Sequence, residues 1–326
     1  MNFIKNVITK GMFFLALTMT LTNCAKDDDS DLQVKGSAQF EITDAPIDDT
    51  SIQGTFVTVT AVKVDGEVIS NFSGSQTIDL LAYQNGETKL LGMGELEAGT
   101  YTNVSIMLDY EKDANGNAPG CYVLTTDNAK HNLQSTSSTT AEIIINSGSF
   151  VVEGNSTTNI VMDFDVRKAI KKEDTPSNND RFNFVTDAEL RSSVRMVNKN
   201  KTGKVRGSTS DMLGFSGDRI VVYAYKKGTF NQSTETTGQG SSNITFKNAE
   251  TSAVVDVNGN YNLSFLSEGE YELYYVAYED EDNDGEMEIK GMLEVTTSAS
   301  LNLLGLQIDA TADVSVDITV IGISPL

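Results

Sequence analysis

The residues best suited to chemistry are carboxylates clustered near the C-terminus, between Tyr278 and Glu288. Carboxylates two positions apart, followed by a glycine that allows a sharp turn, are typical of the front of a Ca²⁺ loop. No helix is readable on either side, which excludes an EF-hand. The sequence therefore predicts a hairpin loop stabilised by Ca²⁺, with a solvated acidic turn as the alternative. The candidate calcium ligands are Asp280, Asp282, Asp284, Glu286 and Glu288.

Other residues capable of catalysis are few. His131 is the only histidine, and its polar surroundings favour a solvated loop residue over a catalytic base. The sequence has no P-loop, no G-x-S-x-G, no H-E-x-x-H and no Cys/His cluster. We therefore predict that the protein is not an enzyme and that Ca²⁺ is its one candidate cofactor.

Four tyrosines beside the acidic stretch suggest a surface on which a ligand stacks. Strand parity places Tyr271 and Tyr275 on one face and Tyr274 and Tyr278 on the other, so they cannot form one binding surface. Packing in a core is the prediction. A second acidic motif, Asp113 to Asn117, is predicted to be a turn.

The N-terminus has the order of an export signal. Lys5 and Lys10 precede an apolar run, Met12 to Leu21, which is too short to form a stable transmembrane helix. The segment ends in Leu-Thr-Asn-Cys, which resembles the lipobox of bacterial lipoproteins, although Asn23 is bulkier than the usual Gly or Ala. The resemblance implies a signal peptide over residues 1–23 and lipidation of Cys24. An ordinary secretory signal is the alternative.

An acidic tether, residues 24–35, follows the cysteine. Its start, Lys26 to Asp29, resembles the export signal of surface lipoproteins of Bacteroidota. The resemblance implies an outer-membrane protein that is anchored by lipid and faces the cell exterior. A plain solvated tether, with the body on the periplasmic face, is the alternative.

Charge and cysteine content narrow the choice of partners. The net charge of the 326 residues is −22, and loss of Lys5 and Lys10 with the signal peptide brings it to −24. Phosphate polyanions are repelled by such a body, so nucleic acid is excluded as a partner. With Cys24 lipidated, Cys121 has no disulfide partner, and we predict that it is a small buried residue.

Short strands separated by turns dominate the rest of the sequence and predict an all-β fold of two antiparallel β-sandwich domains. The first domain is predicted over residues 36–197. Four blocks in order resemble the bacterial lipoprotein domain of unknown function 4382, which implies a β-sandwich surface domain without a settled activity. These blocks are Phe40 to Pro46, Val57 to Val62, Ile78 to Leu81 and Leu96 to Tyr101.

The second domain is predicted over residues 204–326. Asp256 to Leu263 and Leu266 to Leu273 resemble the hairpin of carboxypeptidase regulatory-like and transthyretin-like modules, in which Asn258-Gly259 supplies a tight turn. That resemblance implies a stalk, spacer or binding surface. The last strand, Ala312 to Ile323, pairs within its own sheet or, alternatively, adds to the sheet of a neighbour.

These observations predict a non-enzymatic lipoprotein at the cell surface that acts as a binding or adhesion module. Its partners are the membrane, through the lipid anchor, and an unknown protein or glycan. Two alternatives remain open. One is a fimbrial, pilin-like structural subunit or anchor, and the other is a glycan-binding accessory lipoprotein of a polysaccharide-uptake system.

Overall fold

A computed structural model describes residues 34–45, 49–134, 142–173, 182–282, 287–297 and 301–326. Val34–Leu326 forms one compact unit. The fold is all-β, as the sequence predicts, because short runs rich in Val, Ile, Thr, Phe and Tyr alternate with Gly, Asn and Asp turns. We call the part built from β1 to β16 the first sandwich and the part built from β17 to β25 the second sandwich.

One sheet of the first sandwich has the strand order β16-β13-β1-β6-β4. Its central strand alternates buried Ala38, Phe40 and Ile42 with more exposed neighbours, which is the signature of a strand that covers a core. The strands are β1 (Lys35–Ala45), β4 (Asn71–Phe72), β6 (Lys89–Glu97), β13 (Thr157–Asp165) and β16 (Val194–Asn198).

The facing sheet has the order β10-β9-β2-β8-β11, and β3 and β5 also pair with β2. Two short ladders, β7 with β12 and β14 with β15, complete the first sandwich. The strands are β2 (Ile52–Val64), β3 (Glu67–Val68), β5 (Gln76–Asp79), β7 (Gly99–Tyr101), β8 (Val104–Leu108), β9 (Tyr122–Thr125), β10 (Lys130–Asn132), β11 (Glu142–Ile145), β12 (Phe150–Val152), β14 (Ile170–Lys172) and β15 (Phe182–Phe184).

The second sandwich is one nine-stranded sheet in the order β19-β18-β21-β22-β25-β17-β20, with β23 on β21 and β24 on β17. Its own apolar core includes Leu263, Tyr271 and Tyr275. The strands are β17 (Thr202–Ser210), β18 (Arg219–Lys226), β19 (Thr251–Val254), β20 (Asn260–Ser267), β21 (Gly269–Glu279), β22 (Glu288–Thr297), β23 (Leu306–Ile308), β24 (Asp313–Ser315) and β25 (Ile318–Ser324).

Helices are short. They are α1 (Val166–Ala169), α2 (Asp187–Ser193), α3 (Gln232–Glu235) and the 3₁₀ turns Leu80–Tyr83 and Lys199–Lys201. In the described part of the chain, no helix has the length and apolar character needed to cross a bilayer. The turn Lys199–Lys201 leads from the last strand of the first sandwich into β17, and the predicted boundaries 36–197 and 204–326 stay a prediction.

Most ladders are antiparallel, in agreement with the predicted class. Within the described residues, the exceptions are the parallel ladders β1–β13, β17–β24 and β17–β25. The last strand, β25, lies between β22 and β17 in its own sheet. The C-terminal strand therefore pairs within its own sheet in this structure.

Candidate functional site

A polar surface covers the outer face of three neighbouring strands of the second sandwich. Alternation along each strand turns apolar side chains such as Val205 and Leu263 into the core and polar ones outward. We call this surface the polar platform. Its members are Lys204, Arg206, Ser208, Asn260, Asn262, Ser264, Asp313, Ser315 and Asp317.

The strand register brings these side chains together. Arg206 lies opposite Asn262 in the antiparallel ladder between β17 and β20, and opposite Ser315 in the parallel ladder between β17 and β24. Ser208 lies opposite Asn260. Side chains directly opposite each other have Cβ atoms about 4.5–5.5 Å apart, so these residues form one continuous polar surface.

A glycine permits this close assembly. A Cβ atom at position 207 would lie 1.8 Å from the carbonyl oxygen of Val316, so no other residue fits there without movement of the backbone. Beneath the platform, the Tyr261 hydroxyl donates to the same carbonyl at 2.6 Å. The platform therefore rests on a fixed, fully packed layer.

Charges on the platform are balanced and exposed. The Asp313 carboxylate accepts a hydrogen bond from Arg206 Nε at 2.7 Å and lies 3.2 Å from Lys204 Nζ. The bond from Arg206 lowers the pKa of Asp313. Asp317 Oδ1 accepts hydrogen bonds from the backbone N–H and the hydroxyl of Ser208, at 2.9 and 2.8 Å. Two cations and two anions thus leave the surface locally neutral.

Two adjoining clefts lie along the platform, with volumes of about 580 and 350 Å³. Both clefts are lined by Asn262 and by Asn85, which belongs to the first sandwich. Asn262 Nδ2 donates to the Asn85 carbonyl oxygen at 2.6 Å. The loop that contains Asn85 therefore forms a wall shared by the two clefts.

Two polar atoms beside this wall are not satisfied. Asn262 Oδ1 and Ser264 Oγ are buried, and neither has a hydrogen-bond partner among the described residues. Leaving such an atom without a partner costs about 1–3 kcal/mol, so most buried polar atoms in proteins are paired.

Charged residues at the junction of the sandwiches are buried, unlike the exposed charges of the platform. Arg167 is buried, donates from Nη2 to Asp165 at 2.9 Å, and donates from Nη1 to the carbonyl oxygens of Thr245 and Phe246 at 3.0 and 2.9 Å. Burial alone would raise the pKa of Asp165, but the adjacent cations Arg167 and Lys168 lower it. These charges hold the two sandwiches together.

A second ion pair of the first sandwich lies at the same junction, and its arginine reaches across to the second sandwich. Arg195 Nε donates to Asp163 Oδ2 at 2.9 Å, and its Nη1 donates to the carbonyl oxygen of Phe265 at 2.8 Å. The Asp163 side chain is 4% exposed, and that of Arg195 is 15% exposed. The Arg195 guanidinium and Asp163 Oδ2 are therefore occupied by structural contacts.

The residues proposed for calcium binding are described only in part. Asp280 and Asp282 follow β21 and Glu288 begins β22, whereas Asp284 and Glu286 lie outside the described residues. The Asp280 N–H donates to Asp218 at 3.1 Å. In the part of the chain that the structure describes, no three His, Cys, Asp or Glu side chains are grouped for a metal ion. The calcium loop stays a prediction, as does lipidation of Cys24, which also lies outside the described residues.

The tyrosine prediction is confirmed. Tyr271 and Tyr275 belong to one apolar core, whereas Tyr278 belongs to a second apolar cluster on the other face of β21. Tyr274 is partly buried and packs against that second cluster. The Tyr275 hydroxyl lies 2.7 Å from that of Tyr261. These rings are committed to packing.

Cys121 and His131 lie in packed surroundings. Cys121 is fully buried, as predicted, and burial raises the pKa of its thiol to about 12. His131 lies in β10 and packs edge-on against Phe182, with ring centroids 5.5 Å apart, so it is a strand residue and not the predicted loop residue. The surrounding polar sequence hid this packing, because Phe182 is distant in the chain.

Asp113 and Asp256 open two turns of identical pattern, D-x-N-G-N. In each turn the Asp Oδ1 accepts backbone N–H groups from positions two and four residues later, all at 2.8 Å. Gly116 and Gly259 supply the positive φ, at 86° and 84°. The Asp113 motif is therefore a turn, as predicted, and Asp256 begins the predicted tight turn at the edge of the platform.

Comparison with solved structures finds β-rich proteins at low similarity. The TIE protein of Bacillus anthracis is 9% identical, with 87% of this chain and 34% of that chain covered and a TM-score of 0.20. The major pilin subunit of Bacillus cereus is 9% identical, with 87% and 70% covered and a TM-score of 0.20. A pilus-presented adhesin is 10% identical, with 87% and 99% covered and a TM-score of 0.21. Likeness at this level carries no argument about function, and this chain spans about a third of the TIE protein.

Sequence comparison is more specific. No curated protein matches the chain. The family model "Domain of unknown function (DUF4382)" matches residues 35–201, which is just over half of the 326 residues. The match runs from the first strand of the first sandwich to the turn that precedes β17.

Proposed function

The chain belongs to the family of the Domain of unknown function (DUF4382), and from this premise we propose that it is a surface-anchored lipoprotein that binds a ligand without catalysing a reaction. Lipidation of Cys24 would anchor it in the outer membrane, with the folded body facing the exterior. The second sandwich, in which Asp256 to Leu263 and Leu266 to Leu273 resemble the hairpin of transthyretin-like modules, would carry the ligand. The periplasmic orientation remains the alternative.

The observation that carries this proposal is the polar platform. Its charged and amide side chains are exposed or half-buried on one sheet face, beside two open clefts. Exposed polar groups fixed on a rigid sheet form hydrogen bonds with a ligand at little cost in conformational entropy. A binding role is therefore supported by exposed polar side chains that contacts with one another hold in place, such as Arg206 with Asp313 and Ser208 with Asp317.

The proposal of a non-enzymatic role has separate support. The buried carboxylates Asp163 and Asp165 are paired with cations of the first sandwich, and Asp44 accepts hydrogen bonds from Gln84 and from the N–H of Val166. Burial raises the pKa of Asp44 well above its ordinary value, so this carboxyl is protonated more readily than an exposed one. None of these three carboxylates lines the two clefts, and the two that line the larger cleft, Asp256 and Asp317, each accept backbone N–H groups of the fold. A catalytic acid or base has to reach its substrate and exchange a proton with it.

The two alternative functions differ in their support. Strand donation by the C-terminus would require β25 to leave both β22 and β17, which removes ladders already formed within the chain. The glycan-binding alternative needs no such change, because the platform is accessible as it stands. We therefore favour ligand binding over a fimbrial role.

Anchoring and display are tested on intact cells. Cells that produce the native chain are expected to incorporate labelled palmitate into it and to lose the folded body after external protease treatment. The Cys24→Ala chain should incorporate no label. Full protection from protease in cells with intact outer membranes would place the body in the periplasm and overturn the surface assignment.

Adhesion is tested by attachment of the same cells to surfaces coated with extracellular proteins or with polysaccharides. Cells with the native chain should attach more strongly than cells with Cys24→Ala or cells lacking the gene. Equal attachment of all three strains to every coating would contradict the adhesion role.

A further inference from the structure

We propose that the polar platform binds a neutral oligosaccharide, which lies across β20, β17 and β24 and extends toward the loop of Asn85. This inference rests on the proposed binding function and names the ligand class of that same site. It follows from the charge, the hydrogen-bonding groups and the shape of the platform.

Charge is the first argument. The whole chain has a net charge of −22, whereas the platform carries two cations, Lys204 and Arg206, which both pair with Asp313, and a second carboxylate, Asp317. A polyanionic ligand would be repelled by the surrounding protein and would meet two carboxylates at the site itself. A polycation would be attracted equally well to many other acidic surfaces of the chain. A neutral polar ligand is neither repelled by the charge of the chain nor drawn to its other acidic surfaces, so the balanced charge of the platform favours this class.

Hydrogen-bonding chemistry is the second argument. Side-chain amides of Asn260 and Asn262 both donate and accept, as do the hydroxyls of Ser208 and Ser315, while Arg206 donates. Sugar hydroxyls also donate and accept, and neighbouring hydroxyls on a ring are matched by amide and guanidinium groups. Outward side chains recur about every 6.6–6.8 Å along a strand, and strands lie about 4.8 Å apart. The platform therefore presents a regular array of hydrogen-bonding groups that is long enough to contact several sugar units.

Shape is the third argument. The site consists of two adjoining open clefts of about 580 and 350 Å³, joined at Asn85 and Asn262, and not of one closed pocket. An open, elongated surface suits the interior of a chain better than a single sugar. The Tyr261 ring is 4% exposed, so stacking contributes little and hydrogen bonds supply most of the affinity.

The unpartnered atoms give independent support. Asn262 Oδ1 and Ser264 Oγ lie at the seam between β20 and the Asn85 loop, and both lack partners among the described residues. Because both atoms are buried, a ligand hydroxyl would reach them only after the Asn262 or Ser264 side chain turns toward the cleft.

The test is affinity electrophoresis and titration calorimetry with the full chain carrying Cys24→Ala, which removes the acyl group. The probes are neutral polysaccharides (starch, β-glucan, xylan and mannan) and their oligosaccharides, with polygalacturonate as the anionic probe. At least one neutral probe should bind, and polygalacturonate should bind more weakly. Asn262→Ala and Arg206→Ala, on neighbouring strands, should each weaken binding about tenfold, as expected for loss of one or two hydrogen bonds.

Asn71→Ala is the matched control, because Asn71 is an exposed strand residue on the first sandwich, away from the platform. It should leave binding unchanged, and melting curves of all variants should match the parent chain. The inference would be overturned by absence of binding to every neutral probe, by preference for polygalacturonate, or by Asn262→Ala and Arg206→Ala variants that bind as tightly as the parent chain. If cells still attach to protein coatings in that case, the proposed adhesion role stands and only the ligand class is wrong.

Discussion

The junction of the sandwiches and the polar platform use the same kinds of residue in opposite ways. At the junction, Asp163 and Arg195 are largely buried and pair with each other. Arg195 also donates to the Phe265 carbonyl oxygen of the other sandwich. On the platform, Arg206 is 62% exposed and pairs with an Asp313 that is 37% exposed. Buried charges fix the relative position of the two cores, whereas exposed ones leave polar groups available to a ligand.

This difference has an energetic basis. Removal of one partner from a buried ion pair leaves an uncompensated charge in a medium of low dielectric constant, which is strongly destabilising. An exposed pair is screened by water, and its loss changes stability little. Residue type alone therefore does not reveal which charges hold the structure together.

The largest expected effect follows from Arg195→Ala. The substitution leaves Asp163 buried without its cation and removes the bond to the Phe265 carbonyl oxygen. We expect a loss of about 3–5 kcal/mol in the free energy of unfolding. Urea unfolding monitored by tyrosine fluorescence gives this value. A loss below about 1 kcal/mol would mean that the junction is not a structural lock.

Calcium tests whether exposed carboxylates also contribute to stability. If the loop beside Asp280 and Asp282 binds Ca²⁺, a free concentration 100 times the dissociation constant adds about 2.7 kcal/mol. The melting temperature should then rise with Ca²⁺ and fall with a chelator, and Asp282→Ala should abolish both responses.

Glu95→Ala is the control for the calcium experiment, because Glu95 is an exposed carboxylate on β6 of the first sandwich. It should leave the response to Ca²⁺ intact. A melting temperature indifferent to Ca²⁺ and chelator in the parent chain would end the metal hypothesis.

A smaller, pH-dependent effect is expected at Asp44. Burial raises its pKa above the ordinary 3.8, so the native state holds this proton more tightly than the unfolded chain does. Its stabilising contribution is complete below pH 3.8 and is lost as the pH rises through the native pKa. Asp44→Asn should therefore be more stable than the parent at pH 7, with the difference vanishing toward pH 4.

Asp256→Asn should show the opposite sign. Backbone N–H groups of Asn260 and Asn258 lower the pKa of Asp256, so its contribution is present above pH 3.8 and is lost as the pH falls through the lowered value. Unfolding curves recorded at several pH values compare the two variants. Equal pH profiles would contradict the assignment of one buried and one exposed carboxyl.

The smallest effect is expected for Arg206→Ala. Loss of its exposed pair with Asp313 should change the free energy of unfolding by about 0–1 kcal/mol. The same urea titration measures it beside Arg195→Ala. A loss as large as that of Arg195→Ala would show that the charges of the platform stabilise the fold as strongly as the buried charges of the junction do.

Local sequence predicted many elements well. The tyrosines of β21 divide between two cores because strand side chains alternate. The block Ile78 to Leu81 is strand only as far as Asp79, whose side chain accepts from the N–H of Leu81 and begins a 3₁₀ turn. The helix α2 was not predicted, although Thr186 and Glu189 form a capping box that is visible in the sequence.

The sequence by itself determined the all-β class, the alternation of each strand and the Asn-Gly turns, because these depend on residues two to four positions apart. Only the tertiary structure decided which strands are neighbours. The parallel ladder that places Ser315 beside Arg206 joins residues more than a hundred positions apart, as does the contact of Asn85 with Asn262. Burial decided the rest, since Arg195 and Arg206 are the same residue type and differ in use only because one is enclosed between two cores and the other faces water.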